Sequence, residues 1–125
     1  MKNKRVISVA CAVLLGSLAS SVQSSNVFSY DACMDQAAGV TVDMSNCIEQ
    51  HFQVLDQELN QKYKQLLRTA SNRPALIDAQ RKWLKNRNKQ CDKATTDGTL
   101  GDLEVRECYR RTTEERVKTF NHMLK

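Results

Sequence analysis

The sequence predicts an all-α protein: a small antiparallel helical bundle of three main helices plus a short N-terminal segment, held together by two disulfides. Apolar residues recur every three or four positions along three stretches, which is typical of helices with one buried face. No stretch of useful length alternates with the period of two that a strand would show. The 125 residues include one proline and four glycines and no internal repeat, which indicates a single domain.

The beginning of the chain has the layout of a secretory signal. Three basic residues precede an apolar run at residues 6–19, and small and polar residues follow. The run is shorter than the roughly 20 apolar residues of a membrane span, so no transmembrane anchor is expected. We expect residues 1–24 to be a cleaved signal peptide and residues 25–125 to form a periplasmic or secreted domain. Three small residues fit as the last residue of the signal: Ala19, Ser21 and Ser24.

A short helical segment is predicted at residues 30–38, and the clearest helix follows Gly39. Thr41 or Asp43 can cap this second helix, whose apolar residues keep the helical spacing as far as Ala70. The predicted inner stripe comprises Met44, Ile48, Phe52, Leu55, Leu59, Tyr63, Leu66 and Ala70.

Two further helices are predicted after this one. The sequence from Ser71 to Pro74 indicates a turn with proline at the start of a helix that runs over about residues 75–91. A polar stretch with two glycines ends that helix, and Thr99 or Asp102 can cap a last helix. Its predicted inner stripe comprises Val105, Tyr109, Thr112, Arg116, Phe120 and Met123.

The cysteines outside the signal predict two disulfides. An even number of cysteines in an exported chain favours disulfides, and their spacings of 14, 44 and 17 residues lack the close pairs of a zinc site. Cys11 lies in the middle of the apolar run, which argues against lipid attachment. The four remaining cysteines are Cys33, Cys47, Cys91 and Cys108.

Helix geometry favours one pairing of these cysteines. If the second and third helices are antiparallel about Asn72, Cys91 lies opposite residue 53, and Cys47 is about 9 Å further along. A disulfide needs Cα atoms within roughly 7 Å. We therefore predict Cys33–Cys47 and Cys91–Cys108, with Cys47–Cys91 and Cys33–Cys108 as the rival pairing.

The third helix carries polar residues on the face that also carries the only tryptophan. Gln80 and Arg87 are predicted to point inward beside Trp83. Because a buried arginine without a partner is costly, and Asp56 is level with Arg87 in the antiparallel alignment, we predict a structural ion pair between Asp56 and Arg87. The opposite face is basic but has no aromatic residue to stack on bases, so nucleic acid is not an expected partner.

The sequence offers no pattern that indicates catalysis. Its two histidines, His51 and His122, are not part of an HExxH motif. Carboxylates at adjacent or alternate helical positions, such as Glu114 and Glu115, do not face each other. We therefore expect a binding protein rather than an enzyme, with no cofactor and no metal.

Three groups of residues, in order, resemble the LprI-type lysozyme-inhibitor family, an exported bacterial domain formerly of unknown function. The resemblance extends over about residues 33–124 and implies a helical, disulfide-bonded domain of the cell envelope. The groups are Asp56-Gln57-Glu58-Leu59-Asn60 with Tyr63, Ala79-Gln80-Arg81-Lys82-Trp83 with Arg87 and Cys91, and Cys108 with Thr112 and Arg116. We interpret six of these as core residues: Leu59, Asn60, Tyr63, Gln80, Trp83 and Arg116.

The resemblance implies a protein partner, and lysozyme is the candidate. An inhibitor must block a cleft that holds two carboxylates, and an acidic docking face would speed its encounter with a cationic lysozyme. Residues 31–61 hold six acids and no lysine or arginine. The alternative is an envelope-maintenance or regulatory interaction module without lysozyme activity. The predicted residues for partner binding lie in the connector before the last helix: Thr95, Thr96, Asp97 and Thr99.

Overall fold

The computed structural model describes residues 27–93 and 98–125, and these residues form four α-helices and no strand. This architecture confirms the all-α prediction. No helix in the described part of the chain has the length and apolar content that crossing a membrane requires. The helices are α1 (Tyr30–Ala37), α2 (Thr41–Thr69), α3 (Arg73–Cys91) and α4 (Thr99–Met123).

The longest helices, α2 and α4, lie side by side and run in the same direction. Four contacts between them join residues 57 positions apart: Ser45 with Asp102, Glu49 with Arg106, Phe52 with Tyr109, and Tyr63 with Phe120. A constant separation means that both residue numbers rise together, which is the signature of a parallel pair. Helix α3 runs antiparallel to both and packs against α4. Its last residue, Cys91, is bonded to Cys108, which the separation of 57 places level with His51 of α2.

Backbone geometry and capping residues set the helix boundaries. Asn72 caps α3, since its Oδ1 accepts a hydrogen bond from the Ala75 backbone N–H at 3.1 Å, and Pro74 lies in the first turn as predicted. The capping predictions for α2 and α4 are wrong. Val40 precedes α2 without a side-chain cap, and Gly98 precedes α4 with a φ of +97°, a conformation that glycine adopts without strain.

The apolar core lies where α2, α4 and α3 meet. Phe120 is fully buried and Leu59 is 1% exposed, and both belong to a cluster to which Leu55, Leu66 and Val117 also contribute. Tyr63, Leu76, Trp83 and Leu124 pack against this cluster.

The inner face of α4 differs from the predicted stripe. Thr113 is fully buried whereas Thr112 is only partly buried, and Met123 is 54% exposed. Thr113 and Val117 point into the bundle because α4 is covered by α2 on one side and by α3 on the other, which moves the centre of its buried arc.

The two disulfides form as predicted. Cys33 and Cys47 link α1 to α2 with Cα atoms 5.7 Å apart, and Cys91 and Cys108 link the end of α3 to α4 with Cα atoms 5.5 Å apart. The first bridge fastens the short α1, and the second joins the two helices that flank the connector at residues 94–97.

We expect loss of the Cys91–Cys108 bridge to destabilise the protein. The bridge closes a loop with a sequence separation of 17, so the double variant Cys91→Ser/Cys108→Ser should lose about 3 kcal/mol of unfolding free energy through the greater entropy of the unfolded chain. Urea denaturation of the variant and of the oxidised wild type measures the difference. An unchanged unfolding free energy would contradict this account.

Candidate functional site

Both disulfides lie at the same end of the bundle, which we call the disulfide end. It consists of α1, residues 41–52 of α2, the last turn of α3 and residues 98–110 of α4. Ser45 Oγ donates to Asp102 Oδ2 at 3.5 Å, and Arg106 Nη1 donates to Glu49 Oε2 at 3.1 Å. The parallel packing of α2 on α4 therefore brings together two regions that the sequence proposed separately for partner binding, the acidic stretch and the borders of the connector.

Acidic side chains at the disulfide end remain available for a partner. Asp31, Asp35 and Asp43 are exposed, and none of them forms an ion pair with another described residue. Further along α2, Glu49 pairs with Arg106 at 3.1 Å and Glu58 pairs with Lys62 at 3.3 Å, whereas Asp56 accepts only from Asn60. Three of the four acids of the stretch that form no ion pair within the described chain thus lie on α1 and at the start of α2.

Apolar side chains are exposed next to these acids. Val42 is 66% exposed, Leu100 is 64% exposed and Val40 is 52% exposed. A shallow cavity of about 500 Å³ lies between the first turns of α2 and α4. Exposed apolar groups inside a polar rim are typical of a protein-binding surface. The cavity is lined by Thr41, Val42, Ser45, Asn46, Gly98 and Asp102.

Most of the connector that was predicted to bind a partner lies outside the described residues. Thr95, Thr96 and Asp97 lie outside the described residues, and Thr99 is the first residue of α4, with a side chain that is not described. Gly98 lines the cavity between α2 and α4, so one border of the connector lies beside the exposed valines.

A second cavity, a groove of about 620 Å³, separates α1 from α4. Met34, Ile48 and Leu103 form its apolar wall, and Glu107 and Arg111 supply charged groups. The groove thus adds a second concave region to the disulfide end, separate from the cavity beside Val42, and its volume can hold a side chain.

The Arg110 guanidinium anchors α1 to the rest of the bundle. Its side chain is only 10% exposed, and it donates to Glu107 at 2.6 and 2.8 Å and to Glu114 at 3.0 Å. The guanidinium carbon also lies 4.6 Å from the ring centroid of Tyr30, whose hydroxyl donates to Glu107 at 3.3 Å. The hydrogen bonds to Glu107 raise the pKa of Arg110, so the group stays charged.

His51 completes this cluster from the side of α2. Its ring stacks on Tyr30 with centroids 4.7 Å apart. Burial is the main cause that lowers the pKa of His51, and the positive charge of Arg110 lowers it further. The cluster was not predicted from the sequence, although Glu107 and Glu114 flank Arg110 at the helical spacings that favour ion pairs.

The predicted ion pair between Asp56 and Arg87 is corrected by the structure. Arg87 Nη1 donates to Thr113 Oγ1 at 3.2 Å, and its other nitrogens donate to Asn88 Oδ1 at 3.3 Å. Asp56 instead accepts from Asn60 at 3.2 Å and acts on Arg87 only through space, where it opposes the lowering of the Arg87 pKa by burial. The reason is that α3 packs mainly on α4, so Arg87 turns toward α4 and not toward α2.

The other residues of the family pattern lie in and around the core. Leu59 and Gln80 are buried, and Tyr63, Trp83 and Arg116 are partly buried. The prediction that Asn60 is a core residue is wrong. Asn60 is exposed, because it lies one position past Leu59 on the outer side of α2.

These features define a small helical protein with two disulfides and a surface of acids and exposed apolar groups at one end. Within residues 27–93 and 98–125, no group of three or more His, Cys, Asp or Glu side chains is placed to hold a metal ion. The model of the family Lysozyme inhibitor LprI matches residues 33–120, and the protein belongs to this family. No curated protein and no solved structure matches the chain.

We expect Arg110→Met to lower the unfolding free energy by about 2 kcal/mol, because it leaves Glu107 and Glu114 without their buried cation. Since both acids are about one-third exposed, the loss should be smaller than for a fully buried pair. The matched control is Arg111→Met at the neighbouring exposed position, which should change stability by less than about 0.5 kcal/mol. Equal losses in the two variants would rule out the anchoring role of Arg110.

The lowered pKa of His51 predicts a pH dependence of stability. The folded protein keeps the imidazole neutral at a pH at which the unfolded chain, with a histidine pKa of about 6.5, already binds a proton. The contribution of His51 is therefore present above about pH 6.5 and is lost as the pH falls through the folded-state pKa. Urea denaturation at several pH values should show a weaker decline for His51→Gln and an unchanged decline for the exposed control His122→Gln.

Proposed function

We propose that this protein is an exported lysozyme inhibitor that docks through its disulfide end, and that it acts by binding and not by catalysis. Membership of the Lysozyme inhibitor LprI family supports the choice of partner. The observation that carries the choice of surface is the collection of unengaged acids and exposed apolar side chains at one end of the bundle.

The charge of the disulfide end suits a cationic partner. Removal of residues 1–24 would take away three of the 19 basic residues, which leaves 16 against 14 acids and a net charge of +2. Attraction to a cationic lysozyme therefore has to come from a local surface. Asp31, Asp35 and Asp43 provide one, and complementary charge of this kind mainly raises the association rate.

The exposed apolar groups give the same surface a means of holding its partner. Val42 and Leu100 would become buried on docking, and water released from apolar surface favours association. The connector at residues 94–97 is followed by Gly98, which lines the cavity beside Val42. We propose that Thr95, Thr96, Asp97 and Thr99 enter the lysozyme cleft, where the threonine hydroxyls can donate hydrogen bonds to its carboxylates.

The location that we propose is the periplasm or the outside of the cell. Two disulfides form and persist in an oxidising compartment, and residues 1–24 have the layout of a secretory signal. Both features fit a protein that meets lysozyme outside the cytoplasm.

A turbidity assay tests the proposed activity. The oxidised mature protein is added to lysozymes of several types, and the clearing of a peptidoglycan suspension is followed over time. We expect slower clearing with at least one type, in proportion to the fraction of lysozyme bound. Full activity of every lysozyme at a large excess of the protein would instead favour the envelope-maintenance or regulatory module.

A pair of variants with the same change in net charge tests the proposed surface. Asp35→Asn/Asp43→Asn removes two unengaged acids at the disulfide end, and Glu58→Gln/Asp78→Asn removes two acids that already pair with lysines elsewhere. We expect the first variant to associate about fivefold to tenfold more slowly and the control to behave like wild type. The difference should disappear near 1 M salt, where the screening length is only about 3 Å. Equal rates for both variants at low salt would exclude this docking face.

A further inference from the structure

The groove between α3 and α4 contains two arginine side chains that are not ion-paired with any acid of the described chain. Arg87 and Arg116 are both partly buried. Arg87 donates to Thr113 and Asn88, and Arg116 Nε donates to Gln80 Oε1 at 3.1 Å, so all their acceptors are neutral. The arrangement contrasts with Arg106 and Arg110, each of which contacts two carboxylates.

Both guanidinium groups converge on the same aromatic ring. The guanidinium carbon of Arg87 lies 5.0 Å from the centroid of Trp83, and that of Arg116 lies 5.4 Å from it. Arg116 also lies 4.6 Å from the centroid of Phe120. Stacking satisfies the face of a guanidinium and leaves the N–H groups along its edge free for hydrogen bonds in the plane.

Arg116 has hydrogen-bond donors without an acceptor in the described chain. It uses Nε for Gln80, and its two Nη atoms have no acceptor among the described residues. Burial lowers the pKa of Arg116 and is the main cause that lowers the pKa of Arg87, as expected for charged groups partly removed from water without an acid in contact. The two positive charges near one ring also repel each other. A bound anion would offset both this repulsion and the partial burial of the two guanidinium groups.

The space beside these groups has the size and lining of a small-ligand site. A cavity of about 260 Å³ lies between the helices. Asn86 adds an amide that can donate to an anion, and Trp83 forms an aromatic wall. The hydroxyls of Thr112 and Thr119, which also line the cavity, donate to the backbone carbonyls of Cys108 and Glu115. We call this site the arginine groove; it is lined by Trp83, Asn86, Arg87, Gln90, Thr112, Glu115, Arg116 and Thr119.

We propose that the arginine groove binds a carboxylate group. The paired N–H groups of a guanidinium match the two oxygens of a carboxylate, which allows two parallel charge-assisted hydrogen bonds. Glu115 also lines the groove, and its negative charge disfavours a doubly charged phosphate more than a singly charged carboxylate. The carboxylate can belong to a small acid or to an acidic peptide. This proposal does not depend on lysozyme inhibition, because the groove and the disulfide end share none of the residues on which the two proposals rest.

Trp83 provides a direct probe of binding, since it is the only tryptophan of the chain. The oxidised protein is titrated with sodium acetate while sodium chloride keeps the ionic strength constant. A carboxylate that engages the guanidinium groups changes their position over the Trp83 ring, so we expect a saturable change in fluorescence. Parallel titrations use a short peptide with one glutamate and inorganic phosphate. Tighter binding of the peptide than of acetate would indicate a peptide source of the carboxylate, and equal binding a small acid.

Variants decide whether the signal comes from the groove. Arg116→Gln should weaken acetate binding by about tenfold or more, because it removes the charged fork. Arg116→Lys keeps the positive charge but loses the paired N–H donors of the guanidinium, so it should also weaken acetate binding. This variant replaces Arg116→Gln in the test if circular dichroism shows that Arg116→Gln does not fold. The matched control is Arg81→Gln, on the exposed face of the same helix as Arg87, which should bind acetate like wild type.

Three results would overturn the proposal. The first is a fluorescence change that stays linear in acetate, and the second is the same affinity in folded Arg116→Lys as in wild type. The third is tighter binding of phosphate than of acetate, which would show that the groove prefers another class of anion. A loss of acetate binding in the Arg116 variants together with an unchanged Arg81→Gln would support it, whatever the outcome of the turbidity assay.

Discussion

Helices α2 and α4 run parallel, and contacts from one end of their interface to the other join residues 57 positions apart. Parallel neighbours need a connection that returns the chain toward its starting level. The 19 residues of α3 span about 28 Å, against about 43 Å for the 29 residues of α2, so α3 provides the larger part of this return. The position at which α3 ends therefore limits which residues of α4 can lie level with which residues of α2. The buried pair of Leu59 and Phe120 depends on this register, because a slip of one residue would turn Phe120 out of the core.

The same register concentrates charge and cross-links at one end of the molecule. Since α2 and α4 begin at the same level, the Cys33–Cys47 and Cys91–Cys108 bridges lie at the same end of the bundle. The short α1 has too little surface for a core of its own, and the disulfide and the Arg110 cluster hold it in place. A short helix held in this way carries exposed acids on a rigid support, which costs less ordering entropy on binding than a flexible acidic tail would.

The arginines of the described chain fall into two chemical groups. Arg106 and Arg110 are satisfied by carboxylates and have a structural role at the disulfide end. Arg87 and Arg116 are held by aromatic rings and neutral acceptors, and their charge is not balanced by direct contact. The molecule thus has two surfaces of opposite character, the acidic disulfide end and the cationic arginine groove, for which we propose a cationic partner and a carboxylate ligand.

The helices, the turn at Asn72 and Pro74, and the pairing of the four cysteines were predictable from the sequence. The helices and the turn depend on local spacing along the chain, although the caps of α2 and α4 were predicted wrongly. The pairing of the cysteines also used the assumption that α2 and α3 run antiparallel. The acidic stretch was also evident from composition, whereas its position beside the exposed Val42 was not. The packing of α2 on α4 became evident only from the three-dimensional arrangement, as did the contacts of Arg87 and the burial of Thr113 in place of Thr112. Periodicity shows which face of a helix is apolar, but it does not show which neighbour covers that face. A charge such as that of Asp56 therefore has no predictable partner until the helices are placed in space.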